Sequence, residues 1–366
     1  MPAGPNRQST DRNREAARPH ALVLGGSGLL GGNLIRRLDE TPPWRVTSLS
    51  RRPAETRKSV RHVAADLLDP GQLRACAGEL AEVTHVFFCS RAVAQGYAIG
   101  VDANAEMLEN LLDVLLPVAP ALAHIQLMHG LKWYGSHVGP IKLPAKETDP
   151  PHADSSFYQK QQDYLTQRQV NQRWTWSTVR PHFICAVATD SPSNLVAVLG
   201  TFAAILHELG EELWFPGSEK AFDAITNVVD IDLLTKSMIW IATHENCGNN
   251  VFNMANGDCF RWRDIWPLIA RQFGMKASGP RPTDLAWFMA DKEPIWDSLV
   301  KKHGLRATPF RMMADWSFAH NNVFGLTWDI FASTVKAHQS GFPDMVDSED
   351  MFDRLFAQYR ALRILP

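Results

Sequence analysis

An α/β chain, with a doubly wound parallel sheet and a smaller, mostly helical C-terminal substrate lobe, is what three observations predict. Short apolar runs alternate with amphipathic segments from residue 21 onward. The first run leads straight into a glycine-rich turn, "ALVLGGSGLLGGNLIRRL". Beyond Pro181 the alternation gives way to longer helical and aromatic-rich stretches.

The strand-like runs are "ALVLGG", "WRVTSLS", "RHVAA", "VTHVFFCS", "AHIQLMHG" and "WTWSTVRP". Helical periods such as Ala105 to Leu116 and Phe157 to Val170 lie between several of them. Strands separated by helices pair in parallel, because only a crossover returns the chain to the same edge. After Pro181 come an apolar helix at 195–209, a Pro-Gly turn in "WFPGSEK", a helix near 229–242 and the strand-like "NVFNMAN". From about residue 276, Trp, Phe and Met crowd "DLAWFMADKEPIWDSL" and "RMMADWSFAHNNVFGLTWDIF", aromatics expected to pack mostly on one another. The organisation expected is a disordered tail at 1–20, a nucleotide-binding domain at 21–190 to which 222–275 return, and a substrate lobe from 191–221 and 276–366.

Composition narrows the function classes. The chain has 366 residues, 45% hydrophobic and 21% charged, which is globular composition. A formal net charge of -2 gives no electrostatic attraction to nucleic acid or to an anionic membrane. A small or neutral partner is expected instead. Cys76, Cys89, Cys185, Cys247 and Cys259 form no CxxC pair and no metal-ligand spacing, so reduced thiols in a cytoplasmic protein are expected and no metal. Residues 1–20 hold four arginines and two acids without an apolar stretch, which excludes a secretory signal and leaves an organellar presequence as the alternative to a disordered tail. "LVAVLGTFAAIL" at 195–206 is too short to span a bilayer and suits a buried helix.

Gly25, Gly28 and Gly31 follow the first strand and open a helix, the context that a dinucleotide fingerprint needs. Gly25 allows the tight turn, Gly28 lets the backbone approach a pyrophosphate, and Gly31 lets the helix pack on the strand. Ser27, Leu29 and Leu30 complete the loop, whose helix N-terminus presents free N–H groups to phosphate. An NAD site would carry an acid at the end of the second strand to bind the ribose 2′-hydroxyl. That strand ends instead in Ser50, Arg51 and Arg52, and two guanidinium groups match a 2′-phosphate, so NADP(H) is the expected cofactor of this Rossmann-type domain. Asp66, after the third strand, either bonds the adenine amino group or holds a turn. Leu67 and Ser90 are expected beside the same cofactor.

"FYQKQQDYL" places Tyr158 on a helix with Gln162 four residues on, where a short-chain dehydrogenase carries lysine. Lys160 is two residues away and points to another side. The fifth strand, however, ends in "LMHGLKWYG", so Lys132 and Trp133 emerge at the carboxyl edge where doubly wound sheets bind ligands. A lysine supplied from that edge would replace the helical partner.

Gly25, Gly28 and Gly31, the Arg51-Arg52 pair, "HGLKWYG", "FYQKQQDYL", "TVRPHFICA", "ELWFPGSEKAFDAI" and "FNMANGDCFRWRDIWPLIARQFG" together resemble the progesterone 5β-reductase/iridoid synthase-like (PRISE) enone reductases, atypical extended short-chain dehydrogenases. The resemblance runs from about residue 20 to the C-terminal "YRALRILP". It implies a catalytic lysine in a motif like "TGxKHY", here "HGLKWY" with Lys132, and a catalytic tyrosine in "FYY", here "FYQ" with Tyr158, both also in contact with the cofactor, the lysine through its ribose hydroxyls. Three departures bear on substrate identity: Met128-His129 stands where the family often has Gln-Thr, Trp133 replaces His, and Gln159 replaces the second tyrosine. The resemblance also implies that Pro181, Phe183 and Ile184 sit by the nicotinamide, and that Asn104 helps hold the active-site backbone.

The activity so implied is NADPH-dependent 1,4-reduction of an activated C=C bond in a steroid, terpenoid or small cyclic enone. Trp133, His129, Phe183 and Phe202 are expected to line an apolar pocket. Extended dehydrogenases often form dimers, so a homodimer is open to this chain. Two other readings remain open at this point: a carbonyl reductase, dehydrogenase or epimerase on the same scaffold, and a non-catalytic NADP(H) sensor that has no need of both Lys132 and Tyr158.

Overall fold

The computed structural model describes residues 18–52, 57–92, 101–153 and 157–366. The tail expected at 1–20 falls, up to residue 17, outside these. Contacts divide the chain into two units. The first holds the described residues up to 128 together with 157–178 and 238–250, and the second holds the described parts of 129–156, 179–237 and 251–366.

In the first unit the strands are β1 (His20–Leu24), β2 (Arg45–Ser50), β3 (Val60–Ala64), β4 (His85–Phe88) and β5 (His124–Met128). The strand β6 (Thr175–Pro181) starts here and runs into the second unit. The sheet order is 3-2-1-4-5-6, with the later strand β11 (Asn250–Met254) beyond β6. The pairs β1/β2, β1/β4, β2/β3 and β4/β5 are parallel. All five residues of β1 are buried, as a central parallel strand covered on both faces requires.

Helix α1 (Leu29–Glu40) buries Leu30, Leu34, Ile35 and Leu38, one stripe at helical spacing. Helix α2 (Pro70–Ala75) starts at Asp69, whose carboxylate accepts from the N–H groups of Gly71 and Gln72. Helix α3 (Val101–Leu115) and helix α4 (Phe157–Gln169) complete the unit's longer helices apart from one that straddles the boundary. At the amino edge of the sheet β1, β4 and β5 each begin with histidine, and His85 sits in register with both Ala21 and His124. Hydroxyls bond these rings: Thr47 one nitrogen of His20, Thr84 one nitrogen of His85, and Thr175 with Ser177 both nitrogens of His124, all at 2.8 Å.

In the second unit, β7 (Phe183–Cys185) pairs in parallel with β10 (Val228–Asp230). Strand β8 (Leu213–Phe215) pairs in parallel with β13 (Ala277–Pro280), and β9 (Ile225–Thr226) pairs antiparallel with β12 (Phe260–Arg261). Helix α5 (Leu195–Glu208) is buried at every position from Leu195 to Leu206, which is where an all-round apolar sequence belongs. The aromatics expected to pack on one another do so: Phe215, Trp266 and Phe324 meet edge to face, and Trp262 joins them. The chain's last residues close this core. Ile364 and Leu365 are buried, and Leu365 lies so tightly on Gly200 that a Cβ there would sit 2.2 Å from its methyl.

Among the described residues no helix is long and apolar enough to cross a membrane. Among the same residues, no group of three or more His, Cys, Asp or Glu is placed to hold a metal ion.

Candidate active site

The glycine loop of the first unit has the geometry its sequence requires. Gly25 has φ +75°, a conformation that other residues rarely adopt, and a Cβ on it would press against Cys89 and Ser90 at 3.0 Å. The turn therefore runs hard against the end of β4. A Cβ on Gly31 would lie 2.3 Å from the Gly25 oxygen, so α1 packs directly on the loop. Gly28 is exposed and caps α1 without a side-chain bond, which leaves the helix N-terminal N–H groups facing outward. Ser27 and Leu29 are half-buried beside it, and Leu30 is buried in the helix stripe. This is a cradle that fits a pyrophosphate.

At the end of β2, Arg51 and Arg52 are both exposed, and the Ser50 hydroxyl donates to the Arg52 carbonyl. The serine thus orders the turn that presents two cations. Of the two roles open to Asp66, the structure displays the turn: its carboxylate accepts from the Leu68 N–H at 3.0 Å. Leu67 is buried beside it, and its carbonyl accepts from Asn110 at 3.0 Å. Ser90, half-buried, follows two residues after β4, next to the glycine turn.

Tyr158 occupies the first turn of α4 and is only 6% exposed. Burial pushes its phenol above the ordinary value, opposed by the Arg91 guanidinium, so the hydroxyl stays protonated at neutral pH. Sequence reading missed Arg91, though it follows Ser90 at the carboxyl edge of β4. It also missed Gln161, one turn beyond Tyr158, whose amide donates to the main-chain oxygen of Asn104 at 2.7 Å. Asn104 is fully buried and its side chain bonds both the N–H and the carbonyl of Ala92. Lys160 points elsewhere and pairs with Asp102 at 2.7 Å. Gln159 is exposed.

In the second unit Lys132 is half-buried on a single turn of 3-10 helix, Leu131–Tyr134, directly after β5. Trp133 is buried, its ring stacked on His129 at 6.1 Å and covered by the Arg180 guanidinium at 3.7 Å. His129 is buried, and its backbone N–H donates to the Val179 carbonyl at 2.9 Å. Tyr134 accepts from Arg180 at 3.0 Å and donates to Asn253 at 2.7 Å. Pro181 is buried at the end of β6, while Phe183 and Ile184 are half-buried on β7. His182 bonds the Asn227 carbonyl at 2.7 Å, and burial lowers its pKa to about 4, so it is neutral. Phe202 departs from the expected pocket: it is fully buried on α5 with its ring against Trp214 at 5.1 Å. Aromatic neighbours claim it for the core of the lobe. An open groove of about 600 Å³ in this unit is lined by Glu211, Glu212, Trp214, Ser278, Gly279, Pro280 and Arg281, none of them an expected site residue.

The strand order, the glycine cradle and the tyrosine-bearing helix define a Rossmann-fold oxidoreductase of the extended short-chain dehydrogenase type. Residues 46–366 match the PRISE-like Rossmann-fold domain, and the chain belongs to that family. It is 32% identical to the (S)-8-oxocitronellyl enol synthase of Nepeta racemosa, over 97% of this chain and 94% of that protein. It is 31% identical to the 3-oxo-Delta(4,5)-steroid 5-beta-reductase of Arabidopsis thaliana, over 94% of this chain and 93% of that protein. Among solved structures, the UDP-glucose 4-epimerase of Thermotoga maritima shares the fold with a TM-score of 0.67 at 14% identity, covering 93% of this chain and 99% of that one.

Proposed function

We propose that this chain reduces the C=C bond of an activated, apolar enone with NADPH, using Tyr158 and Lys132. The observation that carries the reading is Tyr158 itself: a phenol buried on the first turn of its helix and held protonated, in a chain of the PRISE-like family. The relatives named above take their names from an oxocitronellyl enol and a 3-oxo steroid, which supports an apolar carbonyl compound as substrate.

The residues divide the work. Gly25, Gly28 and Gly31 with the α1 N-terminus would hold the pyrophosphate, and Arg51 with Arg52 the 2′-phosphate. Pro181, Phe183 and Ile184 would flank the nicotinamide. Bound NADPH supplies the hydride. Hydride added at the β-carbon would move the C=C electrons onto the carbonyl oxygen as an enolate, and a proton from solvent at the α-carbon would complete the saturated ketone. Tyr158 donates a hydrogen bond to this oxygen, where charge exists chiefly in the transition state. Lys132, as the cation of the dyad, would ease proton movement from the phenol. His129 and Trp133 shape the apolar side of the site.

Free thiols at all five cysteines support a reducing, cytoplasmic setting. A homodimer through helices flanking the sheet belongs to the same reading.

Incubation with NADPH and a simple cyclic enone, followed by product identification, tests the proposal. Saturated ketone is expected from the wild type. Tyr158→Phe should still bind NADPH but lose about a hundredfold or more in kcat, the usual cost of removing one oxyanion donor. Allylic alcohol as the product would instead establish a carbonyl reductase, and NADPH binding without turnover on a broad panel would establish a sensor.

A further inference from the structure

A four-residue turn of 3-10 helix has no stability of its own, so the direction in which Lys132 leaves Leu131–Tyr134 is set by what holds the turn. Its ends are fixed by backbone. The Trp133 N–H donates to Gly130, His152 donates to the Trp133 carbonyl at 2.8 Å, and Gly135 stops the turn at φ +84°. Any Cβ on Gly135 would strike the His152 ring at 2.7 Å.

The middle of the turn is held by a buried cation. Arg180 is 1% exposed, sits over the Trp133 ring with its guanidinium carbon 3.7 Å from the ring centre, and donates to the Tyr134 hydroxyl at 3.0 Å. That hydroxyl donates in turn to the Asn253 side-chain oxygen at 2.7 Å. Asn253 is held in turn from two sides: its side-chain N–H donates to the Ala145 carbonyl at 3.0 Å, and its backbone N–H donates to Glu147 at 2.9 Å. Arg180 can only donate and the Ala145 carbonyl can only accept, so the bonds between them run in one direction. Tyr134 and Glu147 support the charge of Arg180 against its burial.

Burying a guanidinium is costly, and an apolar side chain of similar volume fills such a space at lower solvation cost. What the guanidinium adds is direction: a flat face for the indole and a fork for the phenol, on the two residues that follow Lys132.

We propose that Arg180 is a positioning residue, which through Trp133 and Tyr134 fixes the Lys132 turn and so the placement of the lysine for reduction. The proposal rests on the reading of Lys132 given above. A double-mutant cycle separates the two. Arg180→Met, Lys132→Met and the double variant are compared for kcat on a cyclic enone and for NADPH affinity by fluorescence titration, with thermal melts to confirm folding. If Arg180 acts through Lys132, Arg180→Met loses about tenfold or more in kcat, weakens NADPH binding in the same direction as Lys132→Met, and adds no further loss in the Lys132→Met background. A purely structural arginine gives losses that multiply, and that result, or wild-type kcat in Arg180→Met, overturns the inference. Should Arg180→Met fail to fold, Tyr134→Phe takes its place in the cycle, since it keeps the ring and removes only the hydroxyl. Wild-type turnover in Lys132→Met overturns the dyad itself and this inference with it; loss in Lys132→Met with multiplying effects overturns the inference alone.

Discussion

The side-chain amide of Gln161 donates to the main-chain oxygen of Asn104 at 2.7 Å, and the Asn104 side chain in turn grips both backbone polar groups of Ala92. The helix that carries Tyr158 is thereby tied, through α3, to the backbone that follows β4. Gln161→Leu removes the donor inside a buried site. It should destabilise the protein by about 1–3 kcal/mol, the range for a broken buried hydrogen bond. It should also lower kcat, because the first turn of α4 loses an anchor one turn from Tyr158. Unchanged urea stability would contradict the tie.

Gly31→Ala tests the cradle. The new methyl would arrive 2.3 Å from the Gly25 oxygen, a backbone atom, so the loop itself must shift. Overpacking of this kind typically costs about 1–3 kcal/mol. NADPH affinity, measured by fluorescence titration, should fall by more than the change in melting temperature suggests, because the displaced loop is the one facing phosphate.

Arg51→Ala and Arg52→Ala should act on the choice of cofactor rather than on the rate of reduction. Both side chains are exposed, so folding should be unaffected. KM for NADPH is expected to rise by about tenfold in the double variant, the scale of a lost charge-assisted contact, while KM for NADH stays put. The NADPH preference should also weaken as salt is added, since the contact is solvated. An unchanged NADPH-to-NADH ratio would return these arginines to the role of a solvated turn.

The three histidines at the amino edge predict an acid limit on stability. His20 is lowered by burial and by Arg45, His85 is lowered to about 4 by burial, and His124 to about 3 by burial and by His85. Each is held neutral in the folded chain, whereas in the unfolded chain it titrates near 6.5. Above pH 6.5 neither state gains a proton and the effect is absent. As pH falls below 6.5 the unfolded state takes up protons first, so stability is lost by about 1.4 kcal/mol per pH unit for each histidine until the folded pKa is reached. Urea midpoints should therefore decline steeply from pH 6.5 toward pH 4, and His124→Gln should make the decline shallower. A flat profile over that range would show that the edge is open to protons.

The sequence made the sheet legible because its information is local. An apolar run such as "ALVLGG" followed by Gly25, Gly28 and Gly31 specifies strand, turn and helix within about a dozen residues. The left-handed turn at Gly25 and the close packing at Gly31 follow from the same stretch. Lys132 and Tyr158 stand out individually for the same reason, one at a strand end and one on a helix. Their supports do not. Tyr134 meets Arg180 across 46 residues and Asn253 across 119, and Gln161 meets Asn104 across 57, distances over which periodicity carries no information. Phe202 illustrates the opposite limit: on an all-apolar helix, sequence alone does not say which aromatic faces a ligand and which faces Trp214.

Leu365 fills the notch at Gly200, one residue before the chain ends. The final residues therefore behave as a stopper seated in the lobe. Clipping them is not trimming: it pulls out two buried aliphatic side chains at once and leaves α5 with an empty socket. Leu365→Ala should therefore soften the lobe, which a lowered melting temperature would report.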